Sequence, residues 1–131
     1  ECYVNGRVDY ELISRTPAFQ RGIDRVVQGA VKMRVALMCA EKDPLDCHRC
    51  ILAAPHLRRR KLEVFHILAD GTLETHEETE KRLLHLFELS ERELFRSPEE
   101  IVAEAYKFQG EKVAYHEEDL VLREEPPRYG N

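Results

Sequence analysis

Two short runs of this chain have the composition of buried strands, Arg34 to Cys39 and Leu62 to Leu68, and a helix start lies between them. Strand, helix and strand in that order make a βαβ unit, which is parallel and crosses over with a right hand. Two parallel strands do not hold a sheet by themselves, because such pairs are normally covered by helices on both faces and flanked by further strands. The expectation is an α/β chain with a parallel βαβ core flanked by helices and lacking N-terminal strands. Either chain preceding Glu1 or a second subunit would complete that sheet.

The helices carry their own punctuation. Thr16-Pro17 is a start signal, since Thr can cap free amides and proline at the first helical position loses no hydrogen bond. Phe19, Ile23, Val26, Val27 and Ala30 then share a face of a helix running to about Lys32. Asp43-Pro44 repeats the signal and opens a helix bearing Leu45, Ile51, Leu52 and Leu57. Pro55 inside that helix predicts a kink or break near Ala54, because proline cannot donate to the preceding turn and crowds it. Asp70-Gly71 closes the second strand as a turn. Helix is expected again from about Thr75 to Leu89, with Leu83, Leu84, Phe87 and Leu86 on its apolar side. Ser97-Pro98-Glu99-Glu100 is a capping box for a last helix carrying Ile101, Val102, Ala105 and Phe108. Residues 1–123 read as a single α/β domain and 124–131, with Pro126-Pro127, as an extended tail.

Composition narrows the function classes. A chain of 131 residues with 43% hydrophobic and 34% charged content is an ordinary globular domain, and no apolar run approaches the length of a membrane span. A net charge of -5 opposes general capture of nucleic acid, which depends on basic side chains displacing counterions. The run Arg58 to Lys61 ends a predicted helix, where cations complement the dipole, and reads as a solvated face. Four cysteines are too few for a disulfide scaffold of this length, which points to a reducing, cytoplasmic setting.

Chemistry concentrates at Cys39-Ala40-Glu41, five residues, then Cys47-His48-Arg49. Loops at the carboxyl ends of strands are where α/β domains gather their sites. One reading is a site for a small anionic or nucleotide-type ligand, of an enzyme or of a binding protein. Arg49 anchors the anion with its guanidinium fork, Cys47 is the nucleophile near a helix start, and Glu41 and His48 handle protons. Cys39, at the strand end, and His66, on the second strand facing the same sheet end, are further candidate ligand-binding residues. The carboxylates Glu41, Asp43 and Asp46 oppose both an anion and a thiolate at this mouth. A second reading is a metal or dithiol redox site using Cys39, Cys47, His48 and Cys50, although adjacent Cys47 and His48 point about 100° apart on a helix. A third is an interaction module in which Glu41 and Arg49 only brace the loop and the thiols are small buried apolar groups. No metal and no cofactor is assigned. His56, His76, His85 and His116 fall on helices and read as solvent-facing.

The cluster also carries a likeness. From Gly6 to about Tyr115 the chain resembles the domain of unknown function family 488, whose members bear a similar Cys-x-Glu, five-residue, Cys-His-Arg signature. Val64 to Gly71, holding His66-Ile67 and Asp70-Gly71, is similar to the strand that follows in the family. Members usually begin with a strand-rich segment containing Asp-Val-Arg and Pro-x-Ser, neither of which is present. The resemblance therefore implies the carboxyl-terminal part of a larger domain, and it supplies a fold and a candidate site without an activity. The expected partners are a small anionic ligand and, to complete the sheet, a second copy of the chain; membrane and nucleic acid are not expected.

Overall fold

The structure, a computed structural model, describes residues 1–114. The expected tail, together with Tyr115, His116 and Tyr129, lies outside the described residues. The chain opens with a hairpin of two short strands, β1 (Tyr3–Val4) and β2 (Arg7–Val8), paired antiparallel. Asn5 and Gly6 both take positive φ at its tip, the backbone that a two-residue Asn-Gly turn requires.

Helix α1 (Tyr10–Ser14) follows, capped by Asp9. Helix α2 (Pro17–Lys32) begins and ends where the cap signals place it, with the Thr16 hydroxyl accepting from Phe19 N at 3.2 Å. Of its apolar face only Ile23 is buried, and the helix is held to the next layer by polar ties, Arg60 pairing with Asp24 and donating to Gln20 at 3.1 Å.

The helix expected from Asp43 is broken into three pieces. Asp43 caps a single 3₁₀ turn, Pro44–Asp46; Cys47 is extended; a wide π turn spans Arg49–Ala53; and helix α3 runs Ala54–Arg59. Pro55 sits in the first turn of α3, so its missing N–H falls where the ladder has just been widened. The break near Ala54 is thus a register change rather than a kink.

Strand β3 (Phe65–Ile67) turns back at Asp70-Gly71 and pairs antiparallel with β4 (Leu73–Thr75), register His66 to Glu74. The Asp70 carboxylate fixes this turn by accepting from Thr72 N at 2.9 Å and Thr72 Oγ1 at 2.6 Å. Helix α4 (His76–Leu86) and helix α5 (Pro98–Val113) each start on a complete capping box, Thr75 with Glu78 and Ser97 with Glu100. Gly110 does not end α5. It admits close packing, since a Cβ there would stand 3.4 Å from the Tyr10 ring.

The fold is mixed α and β, and both sheets are two-stranded and antiparallel. The expected parallel pairing of 34–39 with 62–68 is not formed among the described residues. Arg34 to Met38 forms no regular element and is exposed, and Met38 is 89% accessible. An apolar run becomes a strand only when a neighbouring strand pairs with its backbone, and among the described residues none does. The core lies elsewhere, where Leu45, Cys50 and Ile51 of the broken helix meet Leu83 and Leu84 of α4 and Ile101 and Ala105 of α5. Leu86, placed on the apolar side of α4 by its spacing, is 48% exposed instead.

Candidate functional site

The Cys39 to Arg49 cluster is organised around Arg49, which leads the π turn. Its Nη1 donates to Leu37 O at 3.0 Å, its Nη2 to Glu41 O at 3.2 Å and its Nε to the Cys47 sulfur at 3.1 Å. The guanidinium fork is thereby spent largely on the loop that precedes it, as a brace, rather than being presented free to an anion. The 3₁₀ turn at Pro44 is a single turn, and Asp43 already caps it, so no helix end offers amides at this mouth.

Cys47 is fully buried. Burial, with the Cys39 thiol beside it, pushes its pKa above the ordinary thiol value despite Arg49, so it is not the accessible thiolate expected. Cys39 is only partly buried and behaves oppositely. Its slight burial works against ionisation, but the Cys47 thiol, the Glu41 amide and the Arg49 charge outweigh it and hold Cys39 below the usual thiol range. The Glu41 N–H donates to its sulfur at 3.3 Å. Of the two thiols, Cys39 is the more accessible and the more readily ionised. Glu41 and His48 are exposed, and among the described residues neither side chain makes a hydrogen bond or ion pair.

A crevice of about 680 Å³ runs between residues 33–37 and residues 62–67, and Arg49 and His66 both line it. Cys39, Glu41, Cys47 and His48 do not, so the expected hollow shared by thiol, carboxylate, imidazole and guanidinium is not present. A larger hollow of about 1160 Å³, with Arg7, Tyr10, Arg59 and Glu111 in its wall, contains none of the candidate residues.

The family model described as "Domain of unknown function DUF488" matches residues 2–55. Over that segment, somewhat less than half of its length, the chain is similar to this family. The DUF488 match takes in the whole Cys39 to Arg49 signature and is the N-terminal part of this chain. It is shorter than the likeness drawn from Gly6 to Tyr115. The strand at Val64 to Gly71 stands outside it. No curated protein and no solved structure gives a match. No helix among the described residues is long and apolar enough to cross a membrane.

Two groups outside the matched segment were given no role from the sequence. Arg82 of α4 bridges Asp43 at 3.2 Å and Glu74 at 2.8 Å, tying the 3₁₀ turn to β4. His76 is 1% exposed rather than solvent-facing, because Thr75 caps α4 immediately before it and its spacing to Thr79 and Leu83 puts it on the buried face. That three- and seven-residue spacing was the available signal. Of the other histidines, His56 packs edge-on against Phe19 with ring centroids 5.1 Å apart, and His85 is exposed. The basic run ends in ion pairs, Arg58 with Glu77 and Arg60 with Asp24.

Proposed function

We propose that the protein works through the thiolate of Cys39, acting on or holding a small ligand beside the crevice, with the Cys47-His48-Arg49 segment as its support. The observation that carries this reading is the inward turn of Arg49. A guanidinium bonded to two backbone carbonyls and one sulfur both fixes the loop and keeps positive charge against the neighbouring thiol. Relative to the anion-anchor reading, Arg49 becomes a positioning residue and Cys39 replaces Cys47 as the reacting group. Exposed Glu41 and His48 remain the groups available to exchange protons with a ligand in that position.

Alkylation tests this directly. In a Cys2→Ser background, Cys39 should react with iodoacetamide along a pH profile whose midpoint lies below the ordinary thiol value of about 8.5. Arg49→Met should move that midpoint upward and leave Cys50 unreactive. A Cys39 midpoint at the ordinary value, unmoved by Arg49→Met, would remove the thiolate from the proposal.

A second copy of the chain is proposed as the partner, on a separate observation. Met33, Val35 and Leu37 are exposed on one side of the crevice and Phe65, Ile67 and Leu73 on the other, and among the described residues β3 has no strand partner except β4. Two-stranded sheets are marginal alone, and an apolar rim of this kind favours burial by strand addition. Sedimentation should therefore reveal concentration-dependent dimers that Ile67→Lys weakens at least tenfold. A well-folded monomer at every concentration, indifferent to Ile67→Lys, argues against this partner.

A further inference from the structure

Cys50, His66 and His76 come from three separate elements, the π turn, β3 and α4, yet their sulfur and ring nitrogens lie within 4.8 Å of one another in the interior. All three are buried, and Cys50 and His76 are each 1% exposed. His66 Nε2 stands 2.9 Å from His76 Nδ1.

The surrounding bonds fix which nitrogen of His76 is bare. Tyr106 has one hydroxyl proton and gives it to Glu80 Oε1 at 3.0 Å. Its oxygen is then an acceptor for His76 Nε2 at 2.9 Å, and Glu80 Oε1 is also 3.2 Å from that nitrogen. His76 therefore carries its proton on Nε2 and turns the Nδ1 lone pair toward His66 and Cys50. A histidine whose outer N–H is held by a carboxylate while its inner nitrogen faces another imidazole and a thiol has the support that metal-ligating histidines characteristically have.

We propose that Cys50, His66 and His76 form a binding site for a zinc-class divalent ion, with Glu80 and Tyr106 orienting His76. A thiol with two imidazoles selects a borderline-soft ion and offers nothing to hard cations such as magnesium or calcium. Two nitrogens on one zinc stand about 3.3 Å apart at ordinary bond lengths, so the His66 and His76 rings need separate by only a few tenths of an ångström. On binding, the Cys50 thiol releases one proton to solvent and its sulfur bonds the ion. His66 exchanges its Nε2 proton for one on Nδ1, with no net change in charge. Three protein ligands leave a fourth position, and His66 also borders the crevice, which gives that position a side from which water or a ligand can arrive. The Cys39 and Cys47 pair is a poor competitor, because Arg49 already donates to its sulfur and a guanidinium repels a cation. This proposal uses different residues from the thiolate at Cys39, and either stands without the other.

The test is titration of the chelator-treated full chain with cobalt(II), followed by displacement with zinc. One cobalt per chain is expected, with tetrahedral ligand-field bands and a thiolate-to-metal charge-transfer band. Cys50→Ser should abolish the charge-transfer band, and His66→Gln should weaken zinc binding at least tenfold. Glu80→Gln, at a side chain 29% exposed and so compatible with folding, should weaken it about tenfold to a hundredfold. Cys39→Ser and Cys47→Ser should leave the spectrum unchanged. Absence of the bands in the wild-type chain, or their loss in Cys39→Ser with retention in Cys50→Ser, overturns the proposal. Should Cys50→Ser fail to fold, the wild-type spectrum and Glu80→Gln decide it, and zinc affinity unchanged in Glu80→Gln counts against it.

Discussion

Arg49→Ala should lower the unfolding free energy by about 2 kcal/mol and, more tellingly, loosen one loop before the rest of the molecule. Hydrogen bonds from a charged donor are individually worth about 1.5–3 kcal/mol, and the partial exposure of Arg49 reduces what three of them contribute together. Its removal strips Leu37 O and Glu41 O of their donor and takes the guanidinium from Cys47. Chemical denaturation measures the global loss. Limited proteolysis between residues 33 and 42, and new labelling of Cys47, report the local one. Arg49→Lys keeps the charge but not the planar fork, and should recover less than half of the loss. A change in stability within ~0.5 kcal/mol, the range of an ordinary surface substitution, with Cys47 still protected, would show that the guanidinium is no brace.

Leu83→Ala is expected to act on the whole fold instead. Leu83 is 1% exposed in the cluster that joins the broken helix, α4 and α5, and truncating such a leucine costs about 3 kcal/mol in lost transfer and residual cavity. In a small domain that is a large share of the total stability. Cys47 and Cys50 should then label together, at a rate that follows global unfolding, whereas Arg49→Ala should expose Cys47 ahead of Cys50. Labelling of Cys50 that remains independent of Leu83→Ala would mean that the broken helix is not anchored through this cluster.

The contrast between these variants follows the division between what was and was not legible in the residues. Local chemistry could be read: Thr16 and Ser97 cap their helices, Asp70-Gly71 turns the hairpin, and Pro55 coincides with a break. Each depends on neighbours only a few positions away. The segment Arg34 to Met38 was misjudged because apolar alternation states a capacity for pairing, while pairing itself needs a second edge at the right distance. Asn5-Gly6 was the converse, a strong local turn signal that the strand inventory omitted. The signature after the first apolar run correctly marked a structured cluster. Yet spacing along the chain does not reveal that Arg49 bends back to carbonyls eight and twelve residues earlier, leaving Glu41 and His48 outside. His66 was expected beside Cys39 and Arg49, whereas its nearest polar company is His76, ten residues on, with Cys50 close by.

The π turn at Arg49–Ala53 has a consequence for azimuth. An α-helical turn holds about 3.6 residues, so accommodating an additional residue within one turn rotates everything upstream by roughly 100° relative to what lies downstream. Cys50, within the wide turn, lies beside the histidines, while Leu57 of α3 is buried one turn further on. Pro55, by forbidding the regular ladder, keeps the two halves out of step.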